Sequence, residues 1–243
     1  MPTTTTTNTA QETATRYDVR RDQLEEYFDR TAAAAWAKLT SDAPVSKIRA
    51  TVRAGRDRMR ALLLSYLPDD LSGQRLLDAG CGTGALAQEA ALRGAEVVAV
   101  DISPTLVTLA RERVELPEGP GSIRFEVGDM TDVALGRFDW IVAMDSLIHY
   151  EADDLEDLIV RLAVRAERGF AFTFAPRTPL LAAMHTVGKA FPRGNRSPDI
   201  VPISPKGIRK RLEAREDLAL SLGRSERIES GFYTSQTLEL VRP

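Results

Sequence analysis

Beyond residue 67 the chain alternates between short, nearly unbroken apolar runs and longer stretches whose apolar positions recur every three to four residues. A run that is apolar at successive positions suits a strand buried on both faces, so this alternation predicts a parallel sheet covered by helices. Strands are predicted at Arg75–Ala79, Glu96–Asp101, Ile123–Val127, Phe138–Met144 and Gly169–Ala175, with two later runs near Leu218–Glu226 and Tyr233–Val241. Helices are predicted at Ala85–Arg93, Ser103–Val114, Asp154–Arg168 and Ser204–Ala214. Ser103-Pro104 and Ser204-Pro205 each supply a capping hydroxyl followed by a proline suited to the first helical position. Upstream, Leu24, Tyr27, Phe28 and an alanine run to Trp36, then Ile48, Val52, Met59, Leu62 and Leu63, follow a helical period. The expected architecture is an α/β, Rossmann-like, seven-stranded, mostly parallel sheet with helices on both faces. Residues 17–66 would form an N-terminal helical cap and residues 67–243 the α/β domain, with an inserted helix near 180–191. The polar stretch 1–16, MPTTTTTNTAQETATR, reads as a disordered tail and lacks the apolar centre of a secretory signal.

Composition narrows the classes. At 43% hydrophobic and 28% charged, with a formal net charge of −3, the chain has the balance of a globular protein and lacks the basic excess of a nucleic-acid binder. Its single cysteine, Cys81, excludes an internal disulfide and fits a reducing cytoplasm. No stretch approaches a membrane span.

The run Leu76-Leu77-Asp78-Ala79-Gly80-Cys81-Gly82-Thr83-Gly84 passes from a predicted strand into a predicted helix. Glycine suits a tight turn at which a ligand meets main-chain atoms. The spacing is G-x-G-x-G after an acid, whereas a dinucleotide fingerprint needs G-x-G-x-x-G to bring a helix N-terminus onto a pyrophosphate. The next strand ends in Asp101, placed to accept from both hydroxyls of a ribose. The third ends in Gly128-Asp129-Met130, where Asp129 would accept from an adenine amino group and Met130 would pack on the ring. Ligands of open α/β sheets sit at these carboxyl ends.

On these motifs, from about Leu67 onward, the chain resembles the class I S-adenosylmethionine-dependent methyltransferases. The resemblance implies S-adenosylmethionine as methyl donor. It also implies a binding set of Asp78, Gly80, Cys81, Gly82 and Gly84 around the methionine part, with Asp101, Ile102, Ser103, Gly128, Asp129, Met130 and Met144 completing it. The runs Met144-Asp145-Ser146-Leu147-Ile148-His149-Tyr150 and Phe172-Thr173-Phe174-Ala175-Pro176-Arg177-Thr178-Pro179-Leu180, with Tyr27-Phe28 and Lys47-Ile48-Arg49, are similar to the magnesium protoporphyrin IX methyltransferase family. The pattern departs from that family at Ala32-Ala33-Ala34-Ala35, where a glycine and an aromatic are usual after Thr31. The resemblance implies esterification of one propionate of the magnesium porphyrin, the one on ring C, in chlorophyll or bacteriochlorophyll synthesis. Magnesium chelatase is then a candidate supplier of substrate, and a photosynthetic membrane a candidate peripheral contact.

A propionate is an anion near neutral pH, since a carboxyl on a short alkyl chain titrates at about 4.3, so the chemistry asks for orientation and desolvation rather than a strong base. His149, after the fourth strand, is the candidate for orienting the attacking carboxylate, against a loop histidine tied to backbone. Tyr27 either closes over the cofactor or packs among the cap helices. Arg177 is a candidate for the second propionate, against a surface ion pair. Arg49, Arg53, Arg56 and Arg60 form one helical stripe, serving either an anionic ligand or solvent. Met184 shares a helical face with Leu180, Leu181, Val187 and Phe191, either as core or as a flap on the flat porphyrin. No Cys/His cluster has metal-ligand spacing, so magnesium is expected only inside the substrate. The competing readings are an O-methyltransferase for another small molecule such as a quinone precursor, a non-catalytic carrier of porphyrin, and an NAD-binding oxidoreductase.

Overall fold

The computed structural model describes residues 15–32, 46–116, 118–177 and 200–243. The first helix, α1 (Arg16–Glu26), opens with a capping box. Thr15 Oγ1 accepts from the Asp18 amide, and the Asp18 carboxylate accepts from the Thr15 amide. A π-helical turn (Tyr27–Ala32) follows directly. Helix α2 (Lys47–Leu64), capped by Ser46, buries Gly55, Met59, Leu63 and Leu64 along one face.

The sheet is built from β1 (Arg75–Ala79), β2 (Glu96–Asp101), β3 (Ser122–Val127), β4 (Phe138–Ala143), β5 (Ala166–Phe174), β6 (Ser221–Leu222), β7 (Arg227–Ser230) and β8 (Tyr233–Val241). Its order is β3-β2-β1-β4-β5-β8-β6, with β7 also paired to β8. The first five strands are mutually parallel and β8 is antiparallel to β5. Helices α3 (Ala85–Leu92), α4 (Pro104–Arg113), α5 (Ala152–Ala163) and α6 (Pro205–Glu213) connect or flank them. Neighbouring residues of one strand enter opposite cores, as a period of two requires. Leu77, Val98 and Ile141 pack with Leu155 and Leu158 of α5, whereas Leu76, Val97 and Val142 pack with Leu86 of α3 and Met59 of α2.

Two expectations are corrected. Among the described residues the sheet has eight strands, because β6 falls within the run expected at Leu218–Glu226 and a further strand, β7, follows just beyond it. Leu222 faces Leu240 and Arg227 faces Gln236, five steps on one strand against four on the other, so a bulge holds one extra residue. Helix α5 starts at Ala152 and stops at Ala163, before the expected Arg168, because β5 begins at Ala166. The Val164-Arg165 turn contains neither glycine nor proline, and so leaves no mark in the sequence. The inserted helix expected near 180–191, and residues 1–14 of the tail, lie outside the described residues.

Candidate active site

A cavity of about 340 Å³ opens at the carboxyl ends of β1, β2 and β4. The turn after β1 places Gly80, Gly82 and Gly84 at φ 83°, 54° and 81°. These are left-handed values that other residues adopt at a cost. At Gly80 a Cβ would also run into Ser146, and at Gly84 into Phe125 and Val114. The Gly80 and Cys81 amides both donate to the Val100 carbonyl, which binds the loop to β2.

The Asp101 carboxylate is fixed from two sides. The Gly82 amide donates to Oδ2 at 2.8 Å and the Ser103 amide to Oδ1 at 2.9 Å. Burial still pushes its pKa up, and the amides of Ser103 and Gly82 only moderate the rise. Asp78, 1% exposed, is pushed up to about 7 by burial and by the nearby Asp101 charge. It lines the cavity, yet its Oδ2 has no hydrogen-bond partner among the described residues. A buried carboxylate oxygen in a cavity wall lacks a donor. The α-ammonium of S-adenosylmethionine is a donor of the right kind, and Asp101 offers a carboxylate edge for a diol, so these residues fit that cofactor.

Of the candidates from sequence, Asp78, Gly80, Cys81, Gly82, Asp101, Ile102, Gly128, Met130, Met144 and His149 line this one cavity. Gly84 and Ser103 are not in the lining and serve as the N-caps of α3 and α4. Asp129 is engaged elsewhere: it accepts from the Tyr17 hydroxyl at 2.7 Å, from the Thr131 amide at 2.7 Å and from Arg21 at 3.4 Å. Burial raises its pKa, but these donors outweigh burial and hold the carboxyl below its ordinary value. Tyr27 does not line the cavity and sets its ring edge-on to Phe28. Arg177 and Arg49 are exposed and away from the lining, the former donating its amide to the Ile203 carbonyl. Met184 lies outside the described residues.

The N-terminal segment supplies further lining, including Tyr17, which the sequence did not single out. Tyr17, Leu24 and Phe28 face the cavity, and Tyr17 stacks on Tyr150 with centroids 5.6 Å apart. Phe28 lies 5.8 Å from the His149 ring, and Arg20 Nε donates to the His149 carbonyl at 2.9 Å. Asp29 accepts from the Thr105 amide and hydroxyl at 3.1 and 2.6 Å. The helix thus lies across the strand ends and orders the loop that carries His149. The sequence marked this segment through the helical period of Leu24 and Phe28, the Tyr27-Phe28 pair and the expected closure of Tyr27, but not through Tyr17, whose partner Asp129 stands 112 residues away.

Asp145 was also missed. It has φ 55°, the one left-handed non-glycine among the described residues, and its side chain is 4% exposed in the cavity wall. Its carboxylate accepts from Arg56 of α2 at 2.5 Å, from the Tyr233 hydroxyl at 3.1 Å, and from Ser235 and Thr173 at 3.2 Å each. Arg53 and Arg60 line the same wall, and Arg60 is ion-paired with Glu89 and Asp57.

The family model described as "Magnesium-protoporphyrin IX methyltransferase C-terminus" matches residues 143–242, and one described as "Methyltransferase domain" matches residues 76–167. The chain is 50% identical over 220 residues to the magnesium-protoporphyrin O-methyltransferase of Rhodobacter capsulatus, covering 90% of this chain and 95% of that one. It is 29% identical over 222 residues to the enzyme of the same name from Synechocystis, at 90% and 95% coverage. The crystal structure of the Synechocystis magnesium protoporphyrin IX methyltransferase with bound SAH superposes with a TM-score of 0.77 at 29% identity, over 91% of this chain and 99% of that one.

Proposed function

Since the chain belongs to the magnesium protoporphyrin IX methyltransferase family, we infer that the cavity is the site at which a propionate of magnesium protoporphyrin IX is esterified. The enzyme is an S-adenosylmethionine-dependent O-methyltransferase of chlorophyll and bacteriochlorophyll synthesis. The observation that carries the assignment of the site is that one cavity joins the glycine loop, with its unpartnered Asp78 oxygen, to the His149 loop. Magnesium enters as part of the substrate, magnesium protoporphyrin IX.

When bound, S-adenosylmethionine supplies an electrophilic methyl group: a propionate oxygen gains the O–CH3 bond as the S–CH3 bond breaks, leaving S-adenosylhomocysteine. The residues of the chain hold and orient. Asp78 would take the ammonium and Asp101 the ribose hydroxyls, while Met130 offers an apolar contact to the adenine. His149, buried against Phe28 and held through its carbonyl by Arg20, would donate to the attacking carboxylate and aim one oxygen. The apolar faces of Leu24, Phe28 and Tyr150 limit water around that carboxylate and so strip part of its hydration.

Incubating the protein with S-adenosylmethionine and, in parallel, magnesium protoporphyrin IX or a phenolic quinone precursor tests the reading. A porphyrin heavier by one methylene, with the phenol unchanged, is the expected result; methylation of the phenol alone contradicts it. None of the helices among the described residues is long and apolar enough to cross a membrane. We further propose that residues 17–66 act as a cap on a methyltransferase domain spanning 67–243.

A further inference from the structure

Three guanidinium groups enter the wall of the cavity from successive turns of one helix. Arg53, Arg56 and Arg60 occupy positions i, i+3 and i+7 of α2, and all three line the same space as the glycine loop and His149. Arg49, one turn earlier in the same stripe, is exposed and away from it. Helix α2 packs against β7, β8 and α3. The Arg56–Asp145 ion pair brings this stripe to the wall of the cavity just past the end of β4.

Arg56 is fixed there by the surrounding fold. Its side chain is 18% exposed, and the Asp145 carboxylate that holds it is itself held by Tyr233, Ser235 and Thr173. An ion pair buried this deeply adds little net stability, since desolvation offsets most of the attraction, and is better understood as a device that sets orientation. Asp145 adopts a left-handed backbone to reach this arrangement, and strain of that kind gathers at functional sites. Gly55, one residue before Arg56, leaves no room for a Cβ against Tyr233, so α2 lies as close to β8 as its backbone allows.

A guanidinium fork matches a carboxylate and keeps its charge at any physiological pH. The substrate bears two propionates, of which one is esterified and the other stays an anion throughout. We propose that the Arg53–Arg56 face of α2 binds the propionate that is not methylated, with Asp145 as the positioning residue for Arg56. The inference rests on the porphyrin reading above. It makes this wall the determinant that selects a diacid and sets which of the two carboxylates meets the methyl donor. The cofactor also carries a carboxylate, so the test separates the two sources.

Full-length wild type, Arg53→Gln, Arg56→Gln and Arg56→Lys would each be assayed with magnesium protoporphyrin IX and with a magnesium porphyrin whose second propionate is masked as an amide. S-adenosylhomocysteine binding would be measured by calorimetry on the same proteins. Wild type is expected to prefer the diacid by about tenfold or more in kcat/KM, the scale of one charge-assisted hydrogen-bonded contact. The glutamine variants should lose that preference by slowing on the diacid alone, Arg56→Lys should keep part of it, and S-adenosylhomocysteine should bind all four alike. Should Arg56→Gln fail to fold, Arg53→Gln carries the test. Equal losses on both porphyrins, or weakened S-adenosylhomocysteine binding with the preference intact, would overturn the proposal, the latter by assigning the arginines to the cofactor carboxylate. Wild type that methylates neither porphyrin would overturn the porphyrin reading itself.

Discussion

Arg56 of α2 and Asp145 at the end of β4 meet at 2.5 Å, with 18% and 4% of their side chains exposed. Removing one member strands the other's charge. Arg56→Met is expected to lower unfolding stability by about 2 to 3 kcal/mol, near the lower end for a broken buried pair because the arginine retains some water. The double variant Arg56→Met, Asp145→Asn should recover at least about 1 kcal/mol of that loss. Urea denaturation of the cycle decides this, and strictly additive losses would mean that the two charges are not coupled.

The link between Tyr17 and Asp129 holds α1 across the strand ends. Tyr17→Phe keeps the stacking on Tyr150 but removes one hydrogen bond to a carboxylate, worth about 1.5 kcal/mol. Amide exchange within Arg16–Glu26 should then quicken by about tenfold, while β1 is unchanged. Unaltered exchange in the helix would show that Asp129 does not anchor it.

Much of the site was legible because its residues are local in sequence. Asp78 to Gly84 form one strand-to-helix turn, and Asp101 ends the neighbouring strand, so spacing alone brought them together. The roles of Asp129 and Asp145 were not legible in the same way. Asp129 stands at a strand end where adenine contacts are expected, but α1 supplies it with Tyr17 and Arg21 from more than a hundred residues away. Asp145 is surrounded by Arg56 of α2, Thr173 of β5, and Tyr233 and Ser235 of β8, and only the folded chain reveals that these four converge. The arginine stripe was visible as a stripe; periodicity could not say that Arg53, Arg56 and Arg60 face the cavity while Arg49 does not.

Asp78 provides a pH test. Its folded pKa of about 7 lies above the unfolded value of about 3.9, so between these values the folded state binds the extra proton. This group's contribution to stability is therefore full below about pH 4 and is lost as pH rises toward 7, in protein without cofactor. Cofactor binding, which pairs the charged carboxylate with an ammonium, should strengthen with pH over the same range, by at most about tenfold per unit, and level off above 7. Asp78→Asn should abolish that slope along with most of the affinity. A slope that survives the substitution would assign it to another group.

His149 is expected to act on the reacting carboxylate rather than on the cofactor. His149→Ala should lower kcat by about tenfold or more while S-adenosylhomocysteine affinity stays within about twofold, the split that marks an interaction used in the reaction. Parallel losses in both would make it a support for Phe28 and the cap.

Porphyrin ester formation is tested most directly with S-adenosylmethionine carrying a deuterated methyl group and magnesium protoporphyrin IX in a single incubation, followed by mass spectrometry before and after mild alkali. One labelled methyl on the porphyrin, released by alkali as an ester must be, is the expected result. A label that resists alkali, or an unlabelled porphyrin from protein that binds S-adenosylhomocysteine, would contradict it.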